Sequence, residues 1–131
     1  MKWLSALAIL VALSGCAKNM TQSGDILSAR SACARGAPHA EVSLSGTVSK
    51  LLGIRSGPSG LHEGFVVSIP PATYRVEDNI DITGRIPLRR GDRIELMGQF
   101  ECNDGVIHWT HHDPSGRHIA GYIKVNGYTY Q

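Results

Sequence analysis

From Glu41 to Tyr130 the chain is a succession of short alternating segments separated by turn residues, and glycine stands inside two of them. Val42, Leu44, Gly46 and Val48 alternate with polar residues through Lys50, and Ile94, Leu96, Gly98 and Phe100 do the same between Asp92 and Glu101. Period-two alternation buries one face of a strand. A glycine within such a strand weakens a flat sheet but permits the bulges and sharp bends of a barrel corner. Further strand-like stretches run from His62 to Ile69, stopped by Pro70-Pro71, from Tyr74 to Glu77, and from Val106 to His112 after the turn Asn103-Asp104-Gly105. The last, His118 to Tyr130, carries Asn126-Gly127, a strong hairpin turn. Gly53 to Gly60, with three glycines and Pro58, reads as a loop, and Asn79 to Gly91 as irregular chain. Asp25 to Arg35 has helical composition and meets stop signals at Gly36 and Pro38. The pattern predicts an all-β fold with minor α content. Its form is a small five-stranded OB-like barrel with an N-terminal helix and a C-terminal hairpin, an open sandwich being the alternative.

The N-terminus has a different character. Lys2 precedes an apolar run from Trp3 to Leu13, long enough for a signal-peptide core and too short to span a bilayer permanently. It ends in Leu13-Ser14-Gly15-Cys16, which resembles a bacterial lipobox, with small residues for the peptidase and a thiol to take the lipid. This divides the chain into a lipoprotein signal peptide (1–15), a lipidated tether (16–24) and a single small barrel domain (25–131). Several acyl chains, palmitate among them, give stable tethering where one does not. Ala17 and Lys18 after the cysteine carry no aspartate retention signal, which favours the outer membrane, facing the periplasm, over the inner.

Losing Lys2 with the signal lowers the formal net charge from +2 to +1, which gives no electrostatic footprint for nucleic acid. Arg85, Arg89, Arg90 and Arg93 cluster, interrupted by Asp92, and read as a solvated edge or a local anion patch. Of the three cysteines, Cys16 is assigned to lipid. Cys33 and Cys102 remain, in a compartment that permits disulfides. One disulfide, two buried thiols and thiolate metal ligation are all open to that pair.

Four of the six histidines fall between His108 and His118. Within that stretch Asp113-Pro114-Ser115-Gly116 matches a type I turn, and a left-handed Gly116 would make it a bulged hairpin loop. That register sets His112 opposite His118 and Asp113 opposite Arg117. Cross-strand partners are close enough for one ion to bridge. His112 and His118 are thus candidate ligands for a divalent transition metal such as zinc, with His62, Glu63 or Asp113 as a third. His108, His111, Arg117, Arg89 and Arg90 are candidate ligand-binding residues, His111 on the face opposite His112.

Gly60-Leu61-His62-Glu63-Gly64-Phe65, Asp78-Asn79-Ile80-Asp81, Arg90-Gly91-Asp92, the run from His108 to His118 and Gly121-Tyr122-Ile123 through Tyr130-Gln131 together resemble a family of small secreted bacterial proteins known only as a domain of unknown function. The resemblance covers roughly Val42 to Gln131 and implies no activity or substrate. In that family's pattern a histidine stands where this chain has Asp78, and a tryptophan commonly stands where it has Cys102. The first departure weakens any metal site that needs a histidine at 78. The second fits Cys102 as a gained partner for Cys33.

Two functions of different kinds are open. One is a membrane-tethered binding module presenting a barrel face and its loops to a small polar ligand, an oligosaccharide, peptide or nucleic-acid fragment. The other is a metal-dependent hydrolase of phosphoesters or nucleic acid, in which a histidine-bound ion activates water and Arg117, Arg89 or Arg90 meets developing negative charge.

Overall fold

The computed structural model describes residues 24–131. Cys16, the signal and all but the last residue of the tether lie outside the described residues. Helix α1 (Ile26–Ala34) starts where the Asp25 side chain accepts from the Ser28 backbone N–H at 2.8 Å, filling one of the unpaired donors of a first turn. Its Ile26 and Ala29, three apart, are buried on one face. No helix among the described residues is long and apolar enough to cross a membrane.

Strand β1 (His39–Gly57) does the work of two. Its first half, His39 to Thr47, pairs antiparallel with β4 (Arg93–Glu101), and its second half pairs with β2 (Gly60–Ile69). The change of partner falls at Thr47, next to Gly46, where any side chain would run into Val67 and the Ser68 carbonyl. Two register shifts follow, between Val48 and Lys50 and between Leu51 and Gly53, which turn the strand around a barrel corner. The stretch read as a loop from Gly53 is therefore mostly bulged strand, and only Pro58 and Ser59 lie between β1 and β2.

Strand β3 (Ala72–Asn79) continues the sheet antiparallel to β2 and runs into the one-turn helix α2 (Ile80–Thr83). Strand β5 (Val106–His108) lies parallel to β3 and antiparallel to β4. The order β1-β2-β3-β5-β4 closes through the β1–β4 pairing into a five-strand ring. That ring is the small barrel the glycine-bearing strands predict. A hairpin of β6 (Tyr122–Val125) and β7 (Tyr128–Tyr130) pairs with the part of β4 that β5 leaves open, its turn made by Asn126 and Gly127, both at positive φ. Val42, Val48, Phe65, Val67, Val76, Leu96, Ile107 and Ile123 fill the interior.

Cys33 at the end of α1 is disulfide-bonded to Cys102 just past β4, with Cα atoms 5.4 Å apart. The pair spans 69 positions, a loop long enough for about 4 kcal/mol of stabilisation in the chain-entropy account.

A second segment also departs from the sequence reading. The strand expected to run to His112 stops at His108, because Trp109 adopts φ +57, a left-handed conformation that ends a ladder and is strained for a bulky side chain. The Asp113–Gly116 turn does form, with the Gly116 N–H donating to the Asp113 carbonyl at 2.9 Å and Gly116 at φ +68. No strands flank it. His112 and His118 therefore do not face each other across a hairpin.

Candidate functional site

The β1–β2 turn, the end of β3 with α2, and the chain following β5 meet around a cavity of about 260 Å³. A second hollow of about 320 Å³ adjoins it on the Arg55–Ser59 side, and Ser59, His62, Glu77 and His108 line both.

The ladder explains the wall. Arg55 pairs with His62 and His62 with Asn79, so these side chains follow one another across one face of the sheet. Glu77, two positions before Asn79, shares that face and holds the guanidinium groups of both Arg55 and Arg75. The Asn79 amide donates to the Ser59 carbonyl at 2.9 Å, while its carbonyl oxygen accepts from the Asp81 N–H at 3.1 Å. Asp81 in turn accepts from the Leu61 N–H at 2.9 Å. The short β1–β2 turn is thereby fastened to α2 from two sides.

Beneath the wall lies Asp78, with no exposed surface. Its Oδ1 accepts from the Thr110 hydroxyl at 2.7 Å and its Oδ2 from the Thr83 hydroxyl at 2.5 Å. Burial pushes its carboxyl above the ordinary value, against the opposing influence of the two threonines and of nearby His111 and His62. Trp109 sets this up from the other side, since its left-handed turn carries the chain inward so that Thr110 and His111 are both buried. Gly121 makes room for the passage. A side chain there would strike the carbonyl oxygens of Trp109 and Met97.

Two of the histidines have defined ring tautomers when neutral. A carbonyl only accepts, so the His111 Nδ1, 2.7 Å from the His112 carbonyl, bears the proton, leaving Nε2 as acceptor. Likewise the His62 Nδ1 donates to the Gly60 carbonyl at 3.0 Å, and its Nε2 accepts from the Ser59 hydroxyl at 3.1 Å.

Of the residues singled out in the sequence, His62, His108, His111 and Asp113 line the cavity. His111, assigned to the far face by strand alternation, is among them because the strand ends before it. Asp113 does not pair with the Arg117 guanidinium. Its carboxylate accepts from the Ser115 hydroxyl and from the backbone N–H groups of Ser115, Arg117 and His118, which holds it well below the usual carboxylate range. The Arg117 Nε donates instead to the Ser115 hydroxyl at 3.0 Å. His118 stacks on the Trp109 indole, ring centroids 3.7 Å apart, and His112 is exposed to solvent. Glu63 accepts from the Ile86 N–H at 3.2 Å and does not line the cavity. Arg89 and Arg90 stand in the exposed turn before β4, where the Arg89 N–H donates to Asp92. Among the described residues no three His, Cys, Asp or Glu side chains gather closely enough to hold a metal ion. Ser59, Glu77 and Asn79 were missed in the sequence. The signal that finds them is pairing register, which brings positions far apart in the chain to one face.

A family model described as a protein of unknown function, DUF3465, matches residues 11–131. No curated protein and no solved structure matches the chain. Because the match takes in the barrel, the histidine run and the terminal hairpin together, the chain belongs to the DUF3465 family of proteins of unknown function.

Proposed function

We propose that this chain is an envelope lipoprotein, anchored through Cys16, whose barrel holds a small polar, hydroxyl-rich ligand such as a short oligosaccharide in the histidine-lined cavity. The observation that carries the reading is the chemistry of the cavity wall. Glu77 is neutralised by Arg55 and Arg75, and Asp113 is committed to its own loop. What faces the cavity is mainly hydrogen-bonding capacity from Ser59, Asn79, His62, His108 and His111, beside the apolar Trp109, Ile82 and Pro114. Hydrogen-bonding groups that can both donate and accept suit sugar hydroxyls, and the apolar part of the lining suits the C–H groups of a sugar ring. Barrels of this architecture use the corresponding face and the β1–β2 loop for such ligands, an argument by fold analogy.

The test is an NMR titration of the purified protein with a panel of short neutral and amino-sugar oligosaccharides, following the histidine ring signals. A binder in the panel shifts those of His62, His108 and His111 and leaves those of His112 unmoved, and His108→Ala weakens it. A panel in which no member moves the three cavity histidines overturns the reading.

A further inference from the structure

The geometry points to a nucleophilic centre at Ser59, with His62 as its general base, competent to transfer and hydrolyse acyl esters. The proposal rests on the reading that the cavity admits a ligand and adds chemistry to it.

A serine hydroxyl is a poor nucleophile unless a base takes its proton, and the base must be held in the right tautomer by a third group. All three parts are present. The Ser59 hydroxyl lies 3.1 Å from His62 Nε2, and His62 Nδ1 lies 3.0 Å from the Gly60 carbonyl. The carbonyl fixes the proton on Nδ1 and so leaves the Nε2 lone pair directed at the serine. Ser59 is exposed and His62 half-buried, so the nucleophile is open to substrate while the base is held. The turn bearing them is also held, by the Asn79 amide on the Ser59 carbonyl. Both residues line both hollows of the groove, where an ester would lie.

The chemistry balances with water as the only co-reactant. Ser59 Oγ attacks the ester carbonyl carbon as its proton passes to His62 Nε2. The tetrahedral intermediate collapses, the bond to the alcohol oxygen breaks, and that oxygen leaves with the proton from Nε2. Water then attacks the acyl-serine, gives a proton to Nε2, and the proton returns to Ser59 Oγ as the carboxylic acid departs. Twice in this cycle His62 becomes an imidazolium, with Asp78 beneath the wall close enough to interact with it electrostatically. Arg55 stands in the wall of the second hollow, ion-paired with Glu77.

The experiment treats the full-length protein with a fluorophosphonate, a reagent that reacts with activated serines, and locates the adduct by peptide mass analysis. Stoichiometric modification of Ser59 is expected, with Ser56 unmodified. Modification slows at least about 100-fold in His62→Gln, the scale of a lost general base. In the wild type its rate rises with pH through a single ionisation that the variant lacks. Circular dichroism confirms that the variant keeps its fold, and His62→Ala serves if it does not. No adduct at Ser59, or an adduct whose rate and pH dependence are unchanged without His62, overturns the proposal. Oligosaccharide binding by Ser59→Ala separates the two readings. Retained binding with no wild-type adduct rejects the nucleophile alone, whereas an adduct at Ser59 in a protein that binds no sugar upholds it and rejects the oligosaccharide.

Discussion

The hydroxyl of Thr110 donates at 2.7 Å to the buried carboxylate of Asp78, 32 positions earlier, and this bond joins the histidine-bearing chain after β5 to the end of β3. A second tie, the Gly121 N–H donating to the His111 carbonyl at 2.9 Å, holds the same stretch from the C-terminal side. Removing the carboxylate leaves the buried Thr110 hydroxyl without its acceptor, while Thr83 keeps the carbonyls of Asn79 and Gly84. Asp78→Ala should therefore cost about 1–3 kcal/mol of stability, measured by urea unfolding.

The same carboxyl sets a dependence on pH. Burial raises it in the folded state, while in the unfolded chain it titrates near its ordinary value. The folded protein thus binds that proton more tightly. The stability so gained is complete below the unfolded value, and it is lost as pH rises through the folded one. Asp78→Asn carries no such proton. The wild type should lose stability relative to this variant as pH climbs from about 4 toward neutrality, the ordinary carboxyl value marking the lower limit. A difference that stays constant across that window would show that burial of the charge does not govern the site.

What the sequence made legible is what period and punctuation encode. Alternation marked the strands, Gly46 marked the corner, and Asn126-Gly127 marked the last hairpin, because each is a local consequence of residue type. The cavity was only half legible. His62, His108 and His111 stand out by type, but which of them share a face depends on where β5 ends. That is decided by the left-handed Trp109 and by the space Gly121 leaves beneath it. Strand periodicity carried past His108 exchanges the faces of His111 and His112. Asp78 was noticed as a departure from a family pattern, yet its burial between two threonines depends on tertiary contacts that no spacing announces.

The Cys33–Cys102 bond joins α1 to the end of β4 and closes most of the barrel within one loop. Its removal should lower stability by about 2–4 kcal/mol. Cys33→Ser and Cys102→Ser should be equally destabilised, and the double variant no worse than either single one, since one bond is lost in all three. Urea unfolding with and without reductant checks this. A reductant that leaves the wild-type transition in place would contradict it.

The proposed anchor is independent of the barrel. If Cys16 takes the lipid, Cys16→Ser should move the protein from the membrane to a soluble fraction, or stop its processing, without altering the unfolding transition of the domain. Fractionation of cells expressing each form, with intact mass of the membrane-bound species, reads the result. A Cys16→Ser protein still processed and still membrane-bound would refute the assignment.

Asp113 governs the loop that carries His118. One carboxylate receives the Ser115 hydroxyl and the N–H groups of Ser115, Arg117 and His118, and Gly116 closes the turn behind it. These bonds depress its pKa, so whatever order they confer is present above the unfolded carboxyl value and is lost as pH falls through the folded one. Asp113→Ala should accelerate amide exchange at Ser115, Arg117 and His118 severalfold while leaving the β1–β4 ladder protected, because local opening of an exposed loop need not involve the core. The His118 ring should also leave the Trp109 indole, shifting tryptophan emission, as His118→Ala does by deletion. Zinc added to the wild type should change neither readout. Zinc-induced protection of the His118 amide that disappears in His112→Ala would restore the bridged pair that strand alternation predicts.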